Sequence, residues 1–184
     1  MACGTFAPLT PMNKPGFPPP SPLPDAELLL GTLVDLMKPV VTGDTGIVGI
    51  HTGGVWVAER LHAALGIKTP LGTLDVSFYR DDFGKIGLHR DVKSSELPFD
   101  VEGRHLVLID DVLYTGRTIR AAMNVLFDYG RPARIQLAAL VDRGGRELPV
   151  AADFLGGNIR LAVSQSLELI RGDAGKLSFK LNEN

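Results

Sequence analysis

Apolar residues recur along this chain in two rhythms, and the rhythm separates helix from strand. Leu29, Leu30, Leu33, Leu36 and Met37 fall three and four apart, which gathers them on one side of a helix. Asp25, after Pro24, suits the cap of that helix, and Pro39 its end. The same spacing returns at Val57, Ala58, Leu61 and Leu65, in a helix read over residues 55–65 and stopped by Gly66. It returns again at Ile119, Ala122, Met123, Leu126 and Phe127, before Gly130. A glycine just past the last apolar turn supplies the left-handed position on which helices commonly end. Between the helices lie short, mostly apolar runs at residues 45–50, 106–109 and 135–141. Such runs suit strands covered on both faces.

The remaining strands read more weakly. Leu74, Val76 and Phe78 or Tyr79 alternate within residues 71–80. Short candidates follow at residues 154–157, 160–163, 167–170 and 177–181, the last two joined as a hairpin by Gly172-Asp173-Ala174-Gly175. Residues 81–104 are polar, contain Gly84, Gly87 and Pro98, and show little periodicity. A loop that long inside a compact domain is usually a lid or binding loop. Strand–turn–helix units in succession predict an α/β fold with a mostly parallel sheet flanked by helices. Ahead of all this, Pro8, Pro11, Pro15, Pro18, Pro19, Pro20, Pro22 and Pro24 forbid regular structure. Residues 1–24 are therefore expected to be a disordered tail, and residues 25–184 one domain.

The chemistry concentrates where strands give way to helices. Residues 106–109 run into Asp110-Asp111, then Val112-Leu113-Tyr114, then Thr115-Gly116-Arg117-Thr118 and the third helix. In open α/β sheets ligands bind outside the carboxyl ends of the strands. Hydroxyls, a glycine and free N–H groups at a helix start suit a phosphate, and the helix dipole adds a positive field. The two carboxylates need not face the same group, since neighbours on an extended chain point oppositely. They suit a metal ion or a pair of sugar hydroxyls. Phosphate at one end and diol or metal at the other describe a sugar phosphate. The earlier turn, His51-Thr52-Gly53-Gly54, repeats the arrangement, with adjacent glycines that let the backbone approach an anion. Alone it is a weak signal, and His51 beside it reads as structural.

Composition narrows the classes. A chain of 184 residues with 45% hydrophobic content suits one domain with a sizeable core. The net charge of −2 gives no bulk attraction to nucleic acid or anionic membrane, and Lys and Arg nowhere form a run of three. The one cysteine, Cys3, allows no disulfide within the chain and no cysteine metal site. Neither a Ser-His-Asp or Cys-His arrangement nor a His and Glu cluster with zinc spacing is present. No secretory leader and no apolar run of membrane-spanning length is seen, so a cytoplasmic location is expected.

Residues 108–118, Leu-Ile-Asp-Asp-Val-Leu-Tyr-Thr-Gly-Arg-Thr, resemble the phosphoribosyl pyrophosphate (PRPP) signature of type I phosphoribosyltransferases. With Val-Leu-Tyr before Thr-Gly-Arg-Thr, the variant is similar to the PyrR family. Residues 74–82, 128–132 and 140–149 resemble further family segments, and the likeness runs from about Asp25 to about Ile159. The resemblance implies a Rossmann-like fold with a small hood and a mobile loop that closes over the site. It implies a uracil phosphoribosyltransferase making UMP and pyrophosphate from uracil and PRPP. Some members also regulate pyrimidine operons by binding messenger RNA, so an RNA-binding, nucleotide-sensing regulator is the alternative. By resemblance, Asp110, Asp111, Tyr114, Thr115, Gly116, Arg117 and Thr118 bind PRPP. Thr52, Gly53, Gly54 and Arg80 take the pyrophosphate. Val141, Asp142 and Arg143 lie near the base, and Asp110, Asp111 and Arg80 are catalytic. Mg²⁺ is implied through PRPP, with Asp110 or Asp111 reaching it through water, and so is a homodimer or larger assembly. One departure stands out: the family usually carries Thr-Arg-Gly where this chain has Thr52-Gly53-Gly54, so a fixed charge beside the pyrophosphate is missing. Purine-salvage relatives place an aspartate where this chain has Tyr114. A phenol with a pKa of about 10 is a poor base at neutral pH, which favours uracil over purines.

Overall fold

The computed structural model describes residues 23–76 and 94–183. Five strands form one parallel sheet: β1 (Gly46–Ile50), β2 (Gly72–Leu74), β3 (His105–Leu113), β4 (Arg134–Asp142) and β5 (Phe154–Asn158), in the order β2-β1-β3-β4-β5. Helices α1 (Ala26–Met37), α2 (Gly53–Leu65) and α3 (Arg117–Tyr129) cover it. An antiparallel hairpin of β6 (Gln165–Arg171) and β7 (Leu177–Glu183) forms a second, two-stranded sheet.

The sheet is apolar on both faces because both are covered. Val107 and Ile109 of β3, Ile47 of β1, and Ala138 and Leu140 of β4 pack with α1, α2 and the hairpin. Their chain neighbours Leu106, Leu108, Val48, Leu137 and Ala139 pack with α3 on the other face. This two-residue alternation is the pleat of the strands, and it explains why the runs read as mostly apolar. α1 starts where expected, with Asp25 Oδ1 accepting from the Glu27 N–H at 2.8 Å. Leu30, Leu33 and Met37 are buried, whereas Leu36 is 45% exposed, because it stands on the edge of the stripe.

Several boundaries differ from the sequence reading. β3 does not end at the acids but continues through them to Leu113, held by pairing of Val112 with Val141 and Leu113 with Asp142. β2 is three residues long, and residues 77–80 of the expected strand lie outside the described residues. α2 begins two residues earlier, at Gly53. Gly66 ends it in the left-handed conformation expected (φ 63°), whereas Gly130 ends α3 extended, at φ 158° and ψ −167°. Residues 160–163 form no strand. The proline-rich stretch up to residue 22 and the loop core at residues 81–93 are outside the described residues. After that loop the chain returns along the free edge of β2, where Thr73 and Glu96 exchange backbone bonds of 2.7 and 2.8 Å.

Candidate functional site

The sheet order places the site. From β1 the chain passes through α2 to β2 on one side, and from β3 through α3 to β4 on the other. The carboxyl ends of β1 and β3 are therefore neighbours whose exits diverge, and such a switch point leaves a crevice. A cavity of about 240 Å³ lies there, lined by His51 just after β1, by residues 110–116 with Thr118 and Ile119, and by Arg143 and Leu167.

The two carboxylates go to opposite faces, as the pleat requires. Asp111 faces α2, and its carboxylate lies so close to Gly53 that a Cβ there would be 2.1 Å from Oδ2. Asp110 is 6% exposed, and its Oδ1 accepts from the Asp111 N–H at 3.1 Å. Gly54 lies on the strand itself: a Cβ would be 2.5 Å from the Ile109 carbonyl oxygen. The turn at Thr52 to Gly54 thus stands directly behind Asp111. The His51–Thr52 peptide is cis.

Both helices open toward this region without side-chain caps. Thr52 occupies the cap of α2 and makes no side-chain cap bond. Gly116 occupies the cap of α3 at φ 91°, a conformation that suits glycine. Thr115 Oγ1 accepts from the Arg117 N–H at 3.3 Å. The first N–H groups of a helix have no partner within it. At α3 they lend a positive field to the cleft that Asp110 and Asp111 also line, whereas Thr52, Gly53 and Gly54 do not line it.

The remaining predicted residues divide. Tyr114 lines the cleft, its ring 4.0 Å from the Arg143 guanidinium. Arg117 turns to the surface, where its Nε donates to Glu147 at 2.8 Å, so its guanidinium does not line the cleft. Val141 is fully buried in β4. The Asp142 carboxylate accepts from the Gly144 N–H at 2.8 Å and from Arg146, leaving neither oxygen uncommitted. Arg143 alone of the three base-side residues reaches the cleft; its Nη2 donates to the Gln165 carbonyl at 2.7 Å. Its buried Nε has no acceptor among the described residues. Arg80 lies outside them.

Sequence reasoning read His51 as structural and passed over Val112, Leu113, Ile119 and Leu167 as lining residues. His51 carried a signal, since it follows β1 at the sheet edge. Leu167 carried none, because only the fold brings the hairpin back to the cleft. Among the described residues no group of three His, Cys, Asp or Glu could hold a metal. A metal bound wholly by protein does not fit this wall, whereas one carried in by a sugar diphosphate and completed by one carboxylate does.

With this geometry in view, relatives become informative. The family described as Phosphoribosyl transferase domain matches residues 40–164. "Bifunctional protein PyrR" of Nitrosococcus oceani is 54% identical over 136 residues, 73% of this chain and 77% of that one. The protein of that name from Pseudomonas entomophila is 61% identical over 122 residues, 66% and 71% of the two chains. Among solved structures, the hypoxanthine-guanine enzyme of Leishmania tarentolae in complex with GMP superposes with TM-score 0.57 at 18% identity, covering 75% of this chain and 80% of that one. At that identity the likeness speaks for the fold alone. The signature acids at the switch point, the uncapped helix beside them and the close relatives agree: the chain belongs to the PyrR family of phosphoribosyltransferases.

Proposed function

We infer that the chain transfers the 5-phosphoribosyl group of PRPP to uracil, giving UMP and pyrophosphate. The observation that carries this reading is the cleft itself: two acids and the uncapped start of α3 converge at the sheet's switch point. The turn from Tyr114 through Thr115, Gly116 and Arg117 to Thr118 receives the 5′-phosphate, with Arg117 contributing its backbone. Asp110 and Asp111 take the ribose hydroxyls. Thr52, Gly53 and Gly54 at the start of α2 take the pyrophosphate, joined by Arg80 from beyond the described residues. Arg143, the one base-side residue that lines the cleft, serves the base, since uracil offers carbonyl oxygens to a guanidinium. Val141 and Asp142 support that edge from behind.

The reaction breaks the bond between ribose C1 and the pyrophosphate oxygen and forms one from C1 to the uracil nitrogen. Positive charge develops on the ring near Asp110 and Asp111, and negative charge on the departing group near the α2 N–H groups. Fixed dipoles and charges placed where charge develops lower the barrier. Holding the 5′-phosphate and the base on one rigid sheet edge supplies orientation. Mg²⁺ entering with PRPP would neutralise charge on the pyrophosphate, and Asp110 or Asp111 would hold it through water.

Initial rates of UMP formation from uracil, PRPP and Mg²⁺ test this reading. Product at rates far above a Asp110→Asn control is expected; no product under any condition sinks it. A second reading has its own support, since the curated relatives are named bifunctional. In it the chain also binds pyrimidine leader RNA and regulates transcription. Filter binding across a salt series separates the two: affinity that falls steeply with salt supports RNA contact through phosphates. Among the described residues no helix is long and apolar enough to cross a membrane. We place the chain in the cytoplasm as a homodimer or larger assembly, a state that sedimentation measures.

A further inference from the structure

Beyond β4 the chain runs from Arg143 to Val150 without regular structure and lies across the turn before α3. Arg146 is the centre of this strap. Its Nε donates to the Val150 carbonyl at 2.9 Å, its Nη2 to the Asp142 carboxylate and its Nη1 to the Tyr114 carbonyl. The next residues continue the grip: the Glu147 and Leu148 N–H groups both donate to the Thr115 carbonyl at 3.0 Å. Gly145 lies under the Tyr114 ring at φ 73°, where a Cβ would be 2.5 Å from Cε2. Three successive strap residues therefore engage two successive carbonyls of the turn.

A trans peptide is planar, with its C=O and N–H on opposite sides. Neither peptide here is cis. The Tyr114 carbonyl shares its plane with the Thr115 N–H, and the Thr115 carbonyl with the Gly116 N–H. Carbonyls held outward by the strap turn those two N–H groups the other way, toward the cleft that Thr115 and Gly116 line. α3 has no side-chain cap to fix this orientation from within. A turn that is not fixed beforehand must be ordered on binding, at a cost in affinity.

We propose that Arg146 is a positioning residue: by holding the Tyr114 carbonyl away from the cleft, it aims the Thr115 and Gly116 N–H groups at the substrate's 5′-phosphate. This rests on the phosphoribosyl reading of the cleft. Arg146 touches no substrate. It acts on the phosphate end through the turn, and a lysine at 146 keeps a cation beside Asp142, so the base end is spared in that variant.

Arg146→Lys keeps charge and bulk but cannot serve three acceptors. The variant is expected to bind ribose 5-phosphate at least tenfold more weakly by calorimetry and to raise KM for PRPP by a similar factor. The KM for uracil and kcat stay within threefold, a split that general loosening of the fold does not produce. In the wild-type protein, the Thr115 and Gly116 amide resonances shift on adding ribose 5-phosphate, which needs no variant. Unchanged ribose 5-phosphate affinity in Arg146→Lys overturns the proposal, as do amide resonances that stay put in the wild type. Wild-type protein that binds ribose 5-phosphate through those amides yet makes no UMP sinks the uracil reading and leaves the strap standing.

Discussion

Gly53 invites the sharpest test. The usual family residue there is arginine, so its absence reads from sequence as a lost charge. The geometry adds a different reason for glycine. A Cβ at residue 53 would lie 2.1 Å from Asp111 Oδ2, 2.5 Å from its Cγ and 3.0 Å from its Cβ. Non-bonded carbons rest about 3.5–4.0 Å apart, so in Gly53→Ala the carboxylate must move by roughly 1 Å or more. The Asp111 side chain is short enough to swing, at about 0.5–1.5 kcal/mol if it leaves its rotamer. Replacing a helical glycine returns up to about 1 kcal/mol. The two nearly cancel, so the melting temperature is expected to change by only a few degrees. Activity is not protected in that way, because a misplacement of about 1 Å in a reacting constellation costs on the order of 100-fold. Gly53→Ala should therefore fold like the wild type and lose roughly 10- to 100-fold in kcat/KM for PRPP, measured by UMP formation. Wild-type kcat/KM in a well-folded Gly53→Ala protein would refute the claim that this glycine seats Asp111.

Three further outcomes are expected. Gly54→Ala puts its Cβ 2.5 Å from the Ile109 carbonyl, where backbone rather than a mobile side chain must yield; denaturant melts should show a loss of about 1–3 kcal/mol. Leu33→Ala removes a fully buried side chain between α1 and the sheet and should cost about 2–5 kcal/mol in the same assay, with ligand affinity retained at temperatures where the protein stays folded. Glu27 accepts from Arg60 and from the Leu177 N–H at 2.8 Å, and these bonds hold its pKa below the ordinary 4.5. A lowered carboxylate pKa gives stability that is present above the unfolded pKa and lost as pH falls through the folded one. Glu27→Gln should then destabilise by about 1 kcal/mol at neutral pH, with the difference shrinking as pH drops below about 4.5. A gap that instead widens in acid would contradict the sign.

The elements were legible in the chain because each obeys a local rule. Helical spacing marked α1, α2 and α3, and the mostly apolar runs marked β1, β3 and β4, since both faces of a parallel sheet are covered. The hairpin β6–β7 was legible from its turn residues. Boundaries were less so: the pairing of Val112 and Leu113 with β4 extends β3 past two acids that local propensity would place in a turn. The motif Asp110 to Thr118 likewise announced a site for a phosphorylated sugar, because hydroxyls, glycine and acids at a strand–helix junction have few other uses.

What the residues alone determined was therefore the kind of fold, the motif and the reaction family. Only the tertiary structure decided which groups meet. The order β2-β1-β3-β4-β5 brings His51 beside Asp110, although nearly sixty positions separate them in the chain. The pleat sends Asp111 against Gly53 and Asp110 to the other face. The strap commits Asp142 and donates to the Tyr114 and Thr115 carbonyls, while Arg117 leaves for the surface. Periodicity and propensity act over a few residues, but the direction of a side chain in a cleft depends on elements that only folding makes neighbours.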